Sequence, residues 1–252
     1  MKSVTRLVQG LRDLPLSPLP VAIVAVLAFA AWAFIEIAGE VREGEVEAFD
    51  RAVLLWFRDP ADLAVPRGPA WLEIAMVDLT TLGGTAVLVA LVAAVLGFML
   101  IAGRTGPALF TLLSIGGGTA FSQLLKALYD RPRPDLVDHL TVIHTASFPS
   151  GHATMATIVY LTLAAMIVRL VDTHALRVYV VVVAVVVSLV VGVSRIYLGV
   201  HWPTDVLAGW ALGAGWAAGA WLVVFMLRRL RNRQKSETGQ GGDLPVRSRP
   251  GR

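Results

Sequence analysis

Three short clusters carry almost all the residues that could do chemistry. The first is Lys126, six residues, then Arg133-Pro134. The second is Pro149-Ser150-Gly151-His152. The third is Ser194-Arg195, five residues, His201, three residues, Asp205. Arginine's planar fork suits phosphate oxygens and lysine adds a point charge. Backbone N–H groups at a helix start after Ser150-Gly151 would point at an anion, and glycine there lets a ligand come close. The set describes an anion cage. Pro203 suits a first helical turn, so a His201 just before that turn puts Asp205 within reach of its Nδ1–H. Such a bond fixes the tautomer and raises the nucleophilicity of Nε2, and His152 is then available to protonate a leaving oxygen. With no thiolates and no acidic cluster facing these histidines, the chemistry requires no metal. His139, His144, Asp130, Asp135 and Asp138 read as ordinary loop polar residues.

Six apolar runs must position these clusters. The chain has 252 residues, 56% of them hydrophobic and 16% charged, with a mean hydropathy of +0.69. A soluble domain carries about 25% charged residues, so lipid is the expected solvent. That argues against a nucleic-acid binder despite a pI near 9.8. There is no cysteine, hence no disulfide framework and no thiol nucleophile. A membrane helix needs about 20 mostly apolar residues. The runs are 21–39, 84–103, 107–125, 153–168, 178–193 and 206–227, the fourth and fifth short. The valine-rich fifth would read as a buried strand in a soluble protein. In lipid the backbone must satisfy itself, so it is expected to be a helix. The expected fold is all-α, a six-transmembrane helical bundle with short outer-face loops. Residues 1–20 form an N-terminal segment, 21–227 the membrane domain and 228–252 a basic, disordered cytoplasmic tail.

Six crossings put both termini on one side, with 14 basic residues against four acids there. Lysine and arginine collect in cytoplasmic segments, so the termini are expected in the cytoplasm of a plasma (inner) membrane protein. All three clusters then fall on the opposite, outer face. A miscounted helix would have separated them. In the loop at about 43–70, Val46, Phe49, Val53, Trp56 and Phe57 recur at helical spacing. They predict an amphipathic helix, either lying on the interface or capping the bundle. Gly209, Gly213, Gly215 and Gly219 predict close helix packing.

In order and spacing the clusters resemble the type 2 phosphatidic acid phosphatase superfamily of membrane lipid phosphatases. Its pattern, K-x6-R-P, P-S-G-H and S-R-x5-H-x3-D, is met at all eleven positions, and the likeness extends over about 84–227. The resemblance implies that His201 is the nucleophile forming a phosphohistidine, with Asp205 orienting it and His152 the general acid. It implies that Lys126, Arg133, Ser150, Gly151 and Arg195 bind the phosphoryl group, and that no metal is needed. Arg131 falls outside the six-residue spacing and is expected at most to support the site.

Each residue alone has a duller explanation: a snorkelling lysine, a helix-capping serine, a structural His–Asp bond. Their meeting on one face favours catalysis. A transporter or flippase binding the same lipid would want polar groups near the midplane, and the apolar runs have almost none. The superfamily site also resembles that of vanadium haloperoxidases, which are soluble. A phosphotransferase remains open. The expected substrate is a lipid phosphate or pyrophosphate, with the polyprenyl pyrophosphate favoured over phosphatidylglycerophosphate and phosphatidic acid.

Overall fold

The computed structural model describes residues 18–137, 140 and 145–239. Eight α-helices make up the described chain: α1 (Pro18–Glu43), α2 (Glu47–Trp56), α3 (Ala70–Thr81), α4 (Thr85–Ile101), α5 (Thr105–Tyr129), α6 (Gly151–Ile167), α7 (His174–Tyr197) and α8 (Pro203–Gly239). No β-strand occurs among the described residues, and the valine-rich run is helix α7.

Each of the six apolar runs lies on a helix, but the helices differ in reach. α1, α5, α7 and the Pro203–Leu227 part of α8 are each long and apolar enough to cross a membrane. α3 and α4 reach that length together, bent by 45° at the break between them. α3 was not anticipated from the sequence. The break has a packing cause: a Cβ at Gly83 would sit 2.4 Å from Val191 Cγ1, so only glycine lets the chain pass α7 there. α6 has 17 residues, about 26 Å at 1.5 Å per residue. That falls short of a hydrocarbon core of about 30 Å.

α8 is the centre of the bundle, packed extensively on α1 and on α6, while α6 also packs on α7. The glycines explain the closeness. A Cβ at Gly213 would lie 2.6 Å from Thr157 Cβ on α6, and one at Gly209 3.0 Å from Ala153 Cβ. Gly215 instead faces Ala30 of α1. Two faces of α8 thus use small residues against two different helices. The helix continues beyond Arg228, where the tail was expected to begin, as far as Gly239. Residues 240–252 of that tail, like the segment 1–17, lie outside the described residues.

α2 is amphipathic in a different way from the pattern expected. Its buried stripe is Val46, Asp50 and Leu54, spaced four apart, whereas Phe49 and Trp56 are exposed. Leu54 packs with Val137, Ala153, Ile196 and Val206, so α2 is docked onto the end of the bundle. The inward face carries a carboxylate, which a search for apolar periodicity cannot register.

Candidate active site

Four helix ends converge beside α2. Lys126 lies in the last turn of α5. Asp130, in the left-handed region at φ 37°, ends that helix and turns the chain into the segment carrying Arg131 and Arg133. Ser150 is the N-cap of α6, its side chain accepting from the Ala153 N–H at 3.5 Å. Arg195 is in the last turn of α7, and Asp205 in the first turn of α8. A backbone bond from Ser150 N to Asp205 O, 2.9 Å, stitches the two helix starts together.

The His201–Asp205 pair sits at the centre and is almost fully buried. His201 Nδ1 lies 3.4 Å from Asp205 Oδ2 and 3.4 Å from Ser147 Oγ. Ser147 Oγ itself donates to Asp205 Oδ2, as does the Trp202 N–H at 2.9 Å. The other carboxylate oxygen accepts from Arg131 Nη1 at 2.7 Å. On the far side of the ring, Arg133 Nη1 is 3.1 Å from His201 Nε2. A guanidinium only donates, so Nε2 accepts and the ring proton resides on Nδ1. That tautomer leaves the Nε2 lone pair facing Arg133. The Nδ1 contacts are long for hydrogen bonds and have room to shorten as positive charge develops on the ring.

Burial pushes the His201 pKa down to about 4 from its ordinary 6.5; the Asp205 bond and charge oppose the shift, and Arg133 and Arg195 add to it. The imidazole is therefore neutral at physiological pH, the form a nucleophile needs. The ¹³Cε1 resonance of His201, assigned by its absence from His201→Ala, is expected to titrate near pH 4 and to stay in the neutral form at pH 6.5. A midpoint at 6.5 or above is the opposing result.

Three cations gather at this end of the bundle, Lys126, Arg133 and Arg195, each feeling the charge of another. Lys126 Nζ donates to the Ala146 carbonyl at 2.9 Å, and its Cε lies 3.4 Å from where a Gly151 Cβ would be. A Cβ at 151 would come just into contact with the lysine. Arg133 is fixed by the Thr145 carbonyl (2.8 Å) and by the Val200 carbonyl. Burial lowers its pKa while the Asp205 charge opposes that; a guanidinium starts so high that it stays charged. Arg195 is 2% exposed and makes one hydrogen bond, from Nη1 to Thr80 Oγ1 at 3.0 Å. Its Nε and Nη2 are buried without a hydrogen-bond partner. Buried donors are nearly always satisfied, and two idle ones on a charged group suit the oxygens of an anion. The charges of Arg195, Lys126 and Arg133 all act on His152. No group of three His, Asp or Glu side chains able to hold a metal ion occurs among the described residues.

All eight expected site residues, Lys126, Arg133, Ser150, Gly151, His152, Arg195, His201 and Asp205, are brought to one end of the bundle. Ser150 Oγ accepts the Ala153 N–H at the α6 cap, which leaves its O–H to donate elsewhere. Sequence spacing assigned Arg131 at most a supporting part, and it missed Ser147 and Asp50. Ser147 and Arg131 both bind the Asp205 carboxylate, and Asp50 of α2 binds Arg131 Nη2 at 2.7 Å. The doubled Arg-Pro pair was the available signal for Arg131. His139, His144 and Asp138 lie outside the described residues.

A membrane-type helical bundle holding a buried His–Asp pair among arginine and lysine side chains has the chemistry of a phosphate site. Residues 107–229 match the PAP2 superfamily. Phosphatidylglycerophosphatase B of Bacillus subtilis (strain 168) is 32% identical over 185 residues, which are 71% of this chain and 85% of that protein. The undecaprenyl-diphosphatase of Sulfolobus acidocaldarius is 41% identical over 68 residues, 27% of this chain and 29% of its own. Among solved structures, a transmembrane PAP2-type phosphatidylglycerolphosphate phosphatase from Bacillus subtilis superposes with a TM-score of 0.65 at 29% identity, covering 84% of this chain and 96% of that one. Aquifex aeolicus LpxE gives a TM-score of 0.50 at 26% identity, covering 61% and 87%. The chain belongs to the PAP2 superfamily and is an integral membrane lipid phosphatase.

Proposed function

We propose that the protein removes the terminal phosphate of a lipid at the outer face of the membrane, through a phosphohistidine on His201 and without a metal ion. The observation that carries this reading is the His201 Nε2 lone pair, with Asp205 at Nδ1 behind it and Arg133 in front, close enough to Arg195 to feel its charge.

The sequence of events follows from these groups. The terminal phosphoryl sits against Lys126, Arg133, Arg195 and the N–H groups that begin α6. His201 Nε2 attacks phosphorus in line, the P–N bond forms, and the P–O bond to the lipid breaks. His152 gives its proton to the departing oxygen, and Asp205 balances the charge on the His201 ring. Water then loses a proton to His152 and attacks the phosphohistidine. The P–N bond breaks, inorganic phosphate leaves, and His201 is neutral again. An incoming phosphate dianion supports the protonated form of His152 by direct charge attraction.

Six crossings are the proposed topology, α3–α4 forming one and α6 completed by the segment before it. The positive-inside bias then puts both termini in the cytoplasm and the site outside. A lipid headgroup at the bilayer edge would meet the cage there, with its tails left in the hydrocarbon.

For the substrate, similarity along most of the chain to Phosphatidylglycerophosphatase B supports phosphatidylglycerophosphate as the first lipid to try. The shorter but more identical match to an undecaprenyl-diphosphatase supports the polyprenyl pyrophosphate favoured on sequence grounds as the second reading. Phosphate release by the purified protein in detergent with EDTA, run on both lipids and on phosphatidic acid, is the test. One lipid is expected to exceed the others in kcat/KM by at least about tenfold, some 1.4 kcal/mol of transition-state preference. No release from any of them would remove the phosphatase reading.

A further inference from the structure

We propose that Asp50, on the inward face of α2, is a positioning residue for the His201–Asp205 pair, acting through Arg131. This rests on the reading of His201 as nucleophile given above. Asp50 is fully buried and spends both oxygens: Oδ2 accepts from Arg131 Nη2 (2.7 Å) and from Thr204 Oγ1 (2.7 Å), and Oδ1 from Thr204 N (2.9 Å). Arg131 Nη1 reaches on to Asp205 Oδ1 (2.7 Å) and Thr204 Oγ1 (2.8 Å). The guanidinium is thus a bridge between two carboxylates, one from α2 and one from α8.

Charge counting shows what this arrangement does. Arg131 paired with Asp205 alone would neutralise it, leaving little negative charge to stabilise a positive imidazole. Asp50 supplies a second negative charge to the same guanidinium. The Asp50–Arg131–Asp205 unit then carries one net negative charge, and Asp205 Oδ2, which also accepts from Ser147 Oγ and the Trp202 N–H, is the oxygen turned to His201. In a buried setting, where charges are poorly screened, that difference acts directly on the ring as it becomes cationic. The same bonds lock the start of α8, because the Asp50 carboxylate caps the Thr204 N–H. Asp50 also ties the docked α2, with Phe49 and Trp56 turned outward, to the catalytic pair.

The test compares wild type with Asp50→Asn in the purified full-length protein, using phosphate release and inhibition by orthovanadate. Vanadate takes up the trigonal-bipyramidal geometry of the transition state at a histidine nitrogen, so its affinity should follow transition-state stabilisation. The expected result is a fall in kcat of about 10–100-fold, the scale on which carboxylates that orient a histidine act at metal sites. KM should stay within about threefold, since the cage is untouched, and the vanadate inhibition constant should rise in step with the loss of kcat. Adding Arg131→Gln to Asp50→Asn is expected to recover part of the loss, because Asp205 regains its unneutralised charge.

Wild-type kcat in Asp50→Asn would overturn the proposal. So would a lower kcat with unchanged vanadate affinity, which signals fewer folded molecules rather than a misaligned site. A further loss on adding Arg131→Gln would overturn the charge argument. If Asp50→Asn does not accumulate, Asp50→Glu keeps the charge and displaces it by one methylene; kcat and vanadate affinity are then expected to fall together, and a fall in kcat alone counts against the proposal. His201→Ala run alongside separates the two levels: turnover by that variant removes the nucleophile reading itself, whatever Asp50 does.

Discussion

His201→Ala is expected to lower kcat by about 10⁴-fold or more, the scale seen when a nucleophile of a concerted catalytic unit is removed. Folding should survive the change. Asp205 keeps Arg131, Ser147 and the Trp202 N–H as partners, so no carboxylate is left buried and alone. Phosphate binding should also persist, because Lys126, Arg133 and Arg195 reach the cage from other elements. Inorganic phosphate should therefore protect the variant against thermal unfolding as it does the wild type, by mass action on the folded state. Phosphate release and an unfolding scan with and without phosphate check both halves. Substantial turnover by the variant would remove the nucleophile from the account; loss of the phosphate effect would mean that His201 builds the cage rather than acts within it.

Arg195→Met is expected to cost about 10²–10³-fold in kcat, the range for losing a preorganised donor aimed at developing charge. Arg195→Lys should rescue little of it, since a compact ammonium cannot present Nε and Nη2 from the same place. Stability should move the other way. Arg195 is buried, two of its nitrogens are unpartnered, and no carboxylate pairs with it among the described residues. A charge in that position is costly to the folded state, and methionine fills similar space without it. The unfolding midpoint of Arg195→Met is thus expected to equal or exceed that of wild type while activity is lost. A lowered midpoint together with proportionate loss of activity would make Arg195 a structural residue instead.

The eight candidate residues could be picked out because their chemistry is local. Lys126, Arg133, His152, Arg195, His201 and Asp205 each lie at or beside the end of an apolar run, and an antiparallel bundle brings such ends together. Ser147 and Asp50 were not legible for the opposite reason. Each acts through a contact with Asp205 or Arg131 across a long stretch of sequence, made only once the loop and α2 have folded against α8. The face of α2 misled in the same way. Apolar spacing pointed to Phe49 and Trp56, yet the buried stripe runs through Asp50, whose burial is made tolerable by Arg131 and Thr204. α3 was hidden because Glu73, Asp78, Thr80 and Thr81 break up its apolar pattern ahead of Gly83 and Gly84. Only the approach of Val191 explains why glycine stands there.

The most direct test of the mechanism is to catch the phosphate on the enzyme. Wild-type protein turning over its best lipid would be quenched rapidly at alkaline pH, where a phosphoimidazole survives, and its peptides examined by mass spectrometry. The phosphate is expected on His201, in wild type and in His152→Ala, where slowed breakdown should raise its occupancy, and absent from His201→Ala. Turnover with the phosphate on another residue, or with none at any time within the first turnover, would contradict covalent catalysis by His201.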